Sequence, residues 1–109
     1  MVNGKEFAVA KINGKKVVVF SKTFCPFCRM AKAILDKYRL SQDDYEVIEI
    51  EKRNDVAAIQ DYMLELTGAR TVPRVFIGGK CIGGGQETTA LEDSGQLREI
   101  LQAAGAIAN

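Results

Sequence analysis

The sequence predicts an α/β fold: a four-stranded mixed sheet flanked by helices on both faces. Three observations carry that prediction. Two apolar, strand-like runs, 16–20 and 45–50, flank a helical pattern, so they can pair in parallel through a right-handed crossover. A second pair of short runs, Val75-Phe76-Ile77 and Lys80-Cys81-Ile82, is joined by Gly78-Gly79, a hairpin signal that makes the pair antiparallel. Helical patterns precede, separate and follow these runs, in the order α-β-α-β-α-β-β-α.

Taken in order, Phe7, Ala8, Ala10 and Ile12 make a short, weak helical pattern over 4–13, ending near Asn13-Gly14. Val17-Val18-Val19-Phe20 is a buried strand. Ala31, Ile34, Leu35 and Tyr38 recur at helical spacing, which predicts a helix from the cysteine pair to about Arg39. Ser41-Gln42-Asp43-Asp44 is a turn. Tyr45 to Ile50 alternates enough to be a strand. Asn54 or Asp55 can cap a helix carrying Ile59, Tyr62, Met63 and Leu66, and Gly68 stops it. After the hairpin, Gly83-Gly84-Gly85 breaks the last strand. Leu91, Leu97, Ile100 and Leu101 belong to closing helices with Ser94-Gly95 as the joint.

The whole chain narrows the function. Its 109 residues make one domain, residues 1–109, with room for one core. A hydrophobic share of 47% and a charged share of 27% are those of an ordinary soluble domain. A net charge of +1 argues against a nucleic-acid partner or a membrane surface. No apolar run approaches the roughly 20 residues of a membrane span. The opening Met1-Val2-Asn3-Gly4-Lys5-Glu6 has neither the apolar region of a secretory signal nor an Arg-rich transit pattern. Three cysteines are an odd count and too few for a disulfide scaffold, which points to a reducing compartment and thiols kept for chemistry. A cytoplasmic monomer is the expectation.

The chemistry gathers at Cys25-Pro26-Phe27-Cys28, where a strand ends and a helix begins. Pro26 fits the first helical turn, because its missing N–H would have no intrahelical partner there. Free N–H groups and the positive helix end then point at Cys25 and favour thiolate over thiol. Lys22 adds positive charge if it is not simply a solvated surface lysine. Cys28, one turn further in, suits a resolving thiol. Cys-x-x-Cys beside a βαβ pattern reads as a redox motif. It is also half a zinc site, but a closed site wants about four ligands. With no histidine and one further cysteine, Cys81, a complete intrachain metal site is not expected. Cys81 itself reads as a small apolar filler or as a regulatory thiol. Pro73 is either an ordinary strand-entry proline or a cis-proline in a tight turn. Gly83-Gly84-Gly85 before Gln86-Glu87 is either a plain connection or a close backbone approach to a carboxylate at a helix N-terminus.

Together these stretches resemble the dithiol glutaredoxins of eukaryotes over about residues 5–107. The anchors are Ser21-Lys22-Thr23 before Cys25-Pro26-Phe27-Cys28, then Gln60-Asp61-Tyr62, then Leu66 through Arg74-Val75-Phe76-Ile77-Gly78, then Cys81-Ile82-Gly83-Gly84. The resemblance implies a thioredoxin-like fold and glutathione as co-substrate, with no tightly bound cofactor. It implies that Cys25 forms a mixed disulfide with glutathione. Thr71-Val72 before a cis Pro73 pairs with the glutathione backbone like an added strand. Lys22, Gln60 and Arg70 surround the glycine carboxylate. Gly84, Gly85, Gln86 and Glu87 meet the γ-glutamyl end, Gly85 and Gln86 through backbone N–H groups. Two departures stand out. Phe27 replaces the usual tyrosine, which keeps the ring and loses the hydroxyl. Gly85-Gln86-Glu87 replaces a Cys or Asn, Ser or Asp, then Asp pattern, so the acid is one methylene longer.

The implied activity is glutathione-dependent thiol–disulfide exchange on glutathionylated proteins and on disulfide-containing proteins, with Cys25 attacking and Cys28 resolving. An iron–sulfur carrier that holds a cluster between two chains through Cys25 and two glutathiones is the alternative from another class. The stiffening Pro26 speaks against it, since cluster-holding relatives often lack it. A non-catalytic binding module is the third reading, and the intact cysteine pair makes it a poor one.

Overall fold

The computed structural model describes residues 3–109. Met1 and Val2, which open the stretch read above for targeting signals, lie outside the described residues. In chain order the elements are α1 Gly4–Gly14, β1 Val17–Ser21, α2 Pro26–Asp36, β2 Tyr45–Glu49, α3 Val56–Thr67, β3 Arg74–Ile77, β4 Lys80–Gly83, α4 Gly85–Asp93 and α5 Gln96–Ala103. The strands lie in the order β2-β1-β3-β4. β1 runs parallel to β2, with Val17 opposite Tyr45, and antiparallel to β3, with Val17 opposite Ile77. β3 and β4 form the antiparallel hairpin. Gly78 and Gly79 turn it with φ of 61° and 81°, backbone that other residues resist. This is the mixed sheet the sequence predicts.

One helix boundary and one capping contact differ from expectation. α2 ends at Asp36 and not near Arg39, because Arg39 has φ 53°, which a right-handed helix cannot continue. Asp55 does stand at the N-cap of α3 but caps nothing with its side chain. Its carboxylate pairs instead with Arg53 at 2.7 Å.

β1 is the spine, with all five residues buried. Alternate side chains leave it for opposite faces. Val17 and Val19, with Val75 and Ile77 of β3, meet Leu35 of α2 and Leu97 and Leu101 of α5. Val18 and Phe20, with Phe76, meet Ala8 and Ile12 of α1 and Ile59 and Met63 of α3. The Phe20 and Phe76 rings pack edge to face at 5.8 Å. Full burial of each such side chain contributes about 1.5–3 kcal/mol, so the frame is held from both sides. No helix among the described residues is long and apolar enough to cross a membrane.

The topology delivers three loops to one end of the sheet. β1 exits there into Lys22–Cys25. Because β3 is antiparallel to it, with Phe20 opposite Arg74, the chain enters β3 at the same end through Thr71–Pro73. β4 pairs with β3, with Gly83 opposite Val75, and so leads into α4 there too.

Candidate active site

Cys25 is the N-cap of α2, in extended backbone at φ −92° and ψ 120°, and Pro26 opens the helix. The backbone N–H of Cys28 donates to Cys25 Sγ at 3.4 Å. No acidic residue stands in the first turn of α2, so nothing opposes the positive end of the helix. Burial works to raise the Cys25 pKa. Hydrogen bonds from the Cys28 thiol and from the Cys28 and Phe27 amides outweigh it, with help from the Lys22 charge, and hold Cys25 below the ordinary thiol value. Cys28 is 0% exposed. Burial raises its pKa, and although the Lys22 amide donates to its Sγ at 3.5 Å, the thiol stays above the ordinary value. The two thiols are thus pushed in opposite directions, Cys25 down and Cys28 up. Both are free thiols.

Across from Cys25 stands the segment entering β3. The Val72–Pro73 bond is cis, the second of the two arrangements the bare sequence left open. The Val72 carbonyl lies 3.8 Å from Cys25 Sγ. Between these walls opens a cavity of about 370 Å³, lined by Phe27, by Thr71, Val72 and Pro73, and by Gly84 through Glu87. Phe27 is 46% exposed, its ring open to the cavity. Gly85 closes the far wall against it. A Cβ there would stand 3.0 Å from both the Cβ and the carbonyl oxygen of Phe27, so the N-termini of α2 and α4 touch. Gly85 and Gln86 are the first residues of α4, where N–H groups find no acceptor inside the helix. Glu87 folds back, and its Oε1 accepts from the Gly84 N–H at 2.6 Å.

Lys22, Gln60 and Arg70 form a separate line beside α3. Lys22 Nζ lies 3.5 Å from Gln60 Oε1, and Gln60 Nε2 donates to the Arg70 carbonyl at 2.9 Å. The Arg70 guanidinium is engaged by Asp61 at 2.9 Å. That pair is exposed, so it is easily exchanged for another carboxylate. None of the three lines the cavity.

Two residues that sequence reasoning did not single out belong to this region. Arg74 lines the cavity while being 8% exposed. In sequence it reads only as the start of a strand. Glu51 holds the loop before Cys25, since its Oε1 accepts from the Thr23 hydroxyl at 2.6 Å and from the Thr23 amide at 3.3 Å. Those bonds, the hydroxyl first, hold its carboxyl below the usual range. No local pattern signals a contact between positions so far apart.

With that geometry in place, similarity to known proteins decides the family. The glutaredoxin family model matches residues 17–82, from the first residue of β1 into β4. Glutaredoxin-1 of Homo sapiens is 48% identical over 103 residues, covering 94% of this chain and 97% of that protein. The chain belongs to the glutaredoxin family. Glutaredoxin-1 of Mus musculus is 46% identical over 103 residues, covering 94% and 96% of the two chains. Among solved structures, oxidised glutaredoxin 2 of Chlamydomonas reinhardtii superposes with a TM-score of 0.85 at 44% identity, over 95% of this chain and 94% of that one. A buckwheat glutaredoxin–glutathione complex superposes with a TM-score of 0.87 at 40% identity, over 96% and 93%. The glutaredoxin match thus spans the frame and the loops together, and the thioredoxin-like fold is that of the family.

Proposed function

We propose that this glutaredoxin transfers glutathione between its own Cys25 and protein thiols, and reduces protein disulfides with Cys28 as the resolving thiol. The observation that carries the reading is Cys25 at the mouth of α2, its pKa depressed, 3.8 Å from the Val72 carbonyl across an open cleft. The Cys25 thiolate attacks the glutathione sulfur of a protein–glutathione mixed disulfide. A new disulfide forms between Cys25 and glutathione, and the protein leaves as a thiolate that takes a proton from water. A second glutathione thiolate then attacks the glutathione sulfur on Cys25. Oxidised glutathione leaves and the Cys25 thiolate returns. For a protein disulfide, Cys25 attacks one sulfur and Cys28 then attacks Cys25, which releases the reduced protein and leaves a Cys25–Cys28 disulfide for glutathione to reduce.

The cleft suits glutathione at both ends. The free N–H groups of Gly85 and Gln86 suit the γ-glutamyl carboxylate, and the extended Thr71-Val72 segment suits the peptide backbone. Lys22, Gln60 and Arg70 suit the glycine carboxylate once Asp61 releases the guanidinium. Every group invoked comes from one chain, so a monomer suffices. Three free cysteines fit a reducing compartment such as the cytoplasm. The test is glutathione-coupled reduction of a small glutathione mixed disulfide. Turnover that saturates in glutathione is the expected result. A protein that turns over with thioredoxin reductase and ignores glutathione would overturn the reading.

A further inference from the structure

Two of the side chains lining the cleft are charged, Arg74 and Glu87. They flank a single point. A Cβ on Gly84 would stand 2.7 Å from Nη2 of Arg74 and 3.4 Å from Oε1 of Glu87. The missing side chain at Gly84 is what lets the two charges come this close to each other and to the cleft. Arg74 is nine-tenths buried, and its Nε donates to the Pro73 carbonyl at 3.0 Å, which ties it to the wall opposite Cys25. Among the described residues it forms no ion pair with a carboxylate. A guanidinium carries five N–H donors, and a buried charge left without an ionic partner costs free energy until one arrives. Glu87 uses one oxygen on the Gly84 N–H.

We propose that Arg74 is a specificity-determining residue that reads the α-carboxylate at the γ-glutamyl end of glutathione, with Glu87 facing the α-ammonium on the same carbon. This rests on the glutathione reading above. A plain anion at this place meets the Glu87 charge and a plain cation meets Arg74. A group carrying both signs on one carbon satisfies both and brings its carboxylate to the positive end of α4 as well. Arg74 therefore does more than hold the Pro73 turn. It sets which thiols the cleft admits, and selects glutathione over thiols that lack an amino-acid end.

The experiment measures the first transfer to Cys25 from a glutathionylated peptide and from the same peptide whose glutathione is amidated at the glutamyl α-carboxylate. Wild type should favour the free carboxylate by about tenfold in kcat/KM, the scale of one charged hydrogen bond. Arg74→Met should slow the carboxylate substrate several-fold, leave the amide unchanged and so remove most of the preference, the remainder coming from the N–H groups at the start of α4. Arg74→Lys should keep most of it. Should Arg74→Met fail to fold, Arg74→Gln keeps a donor for Pro73 and drops the charge, and it should reduce the preference equally. A wild type that treats the two peptides alike overturns the proposal. So does a charge-removing variant that slows both alike, the mark of a purely structural role, or one that keeps the preference undiminished. Failure of the glutathione reading itself looks different: wild type would then react equally with glutathionylated and cysteinylated peptide.

Discussion

The N-termini of α2 and α4 meet at Phe27 and Gly85, and they use the same backbone device in opposite ways. Each presents the unpaired N–H groups of a helix start to one cleft. At α4 the chain supplies its own negative charge, because Glu87 stands in the first turn and its carboxylate takes the Gly84 N–H. At α2 there is no acid, and the atom that takes the Cys28 N–H is a sulfur that gains its negative charge only on losing a proton. One helix end carries a fixed negative charge. The other is left for a group whose charge is made and lost in the reaction. A helix start becomes a reactive site here by what is withheld from its first turn.

The largest break in this contrast comes from the capping atom itself. Cys25→Ser should lower deglutathionylation and protein-disulfide reduction by about a thousandfold or more, because a hydroxyl is scarcely ionised near neutral pH and no histidine exists to act as base. Cys28→Ser should leave deglutathionylation within about threefold, since that route needs only Cys25 and a second glutathione. It should suppress reduction of protein disulfides, which stall as mixed disulfides on Cys25. Both variants can be run in one glutathione-reductase-coupled assay with two substrates. Equal loss of deglutathionylation in the two would replace glutathione transfer with a mechanism that needs both thiols.

The helix end that carries its own acid should respond in stability first. Glu87→Ala removes the acceptor of the Gly84 N–H and should cost about 1 kcal/mol, the usual worth of a helix cap. In a domain of this size that lowers Tm by about 4–8 °C. The Cys25 alkylation profile should not move with it, because Glu87 is not among the groups that set the Cys25 pKa. A thermal melt beside an iodoacetamide titration separates the two effects. A profile that shifts in Glu87→Ala would show that the two helix ends are electrically joined.

A smaller change reaches Cys25 from outside its helix. Its folded pKa lies below the ordinary value, so alkylation should persist at pH values where a free thiol is protonated, and fade as pH falls through the depressed pKa. Lys22→Glu replaces a favourable charge with an unfavourable one and should move that profile to higher pH, though only modestly, since Lys22 is the least of the influences on Cys25. The variant should also weaken glutathione use, because Lys22 leads the Gln60–Arg70 line. An unmoved midpoint would assign the depression to α2 alone.

These contrasts also show what could be read in the sequence. The α2 end was legible because everything that makes it is local: an apolar run, a proline at the first helical position and a thiol one turn apart from its partner. The mixed sheet was legible because a glycine pair and a crossover helix each dictate a strand direction. The end of α2 was not, since Tyr38 keeps the helical spacing while Arg39, in left-handed backbone, has already ended the helix. Asp55 looked like a cap, but Arg53 two residues earlier holds its carboxylate. Arg74 was missed because its role depends on Gly84, ten residues away and brought alongside only by the hairpin. Its alternation places it on the Phe76 face, and nothing in the pattern shows the guanidinium reaching past a bare glycine.

Cys81 supplies the control, a third thiol with no helix start beside it. It sits within β4, opposite Phe76, and packs against the Phe20–Phe76 cluster on the α1–α3 face. It lines a second groove, one that shares Arg74 with the cleft but runs past Leu66 and Lys80 and not past Cys25. Its sulfur is therefore set apart from Cys25, and its contribution is that of a small, partly buried apolar group. Serine has nearly the same shape, and the side chain is not fully buried, so its hydroxyl can still reach water. Cys81→Ser should leave deglutathionylation within about twofold and stability within about 0.5 kcal/mol of wild type, the range of substitutions that remove no cavity, cap or charge pair. The coupled assay and a thermal melt on one preparation check both. A loss beyond about tenfold would mean that reactivity here does not depend on a helix start. Peroxide-induced dimers that vanish in Cys81→Ser would leave the comparison intact and give this thiol a regulatory part of its own.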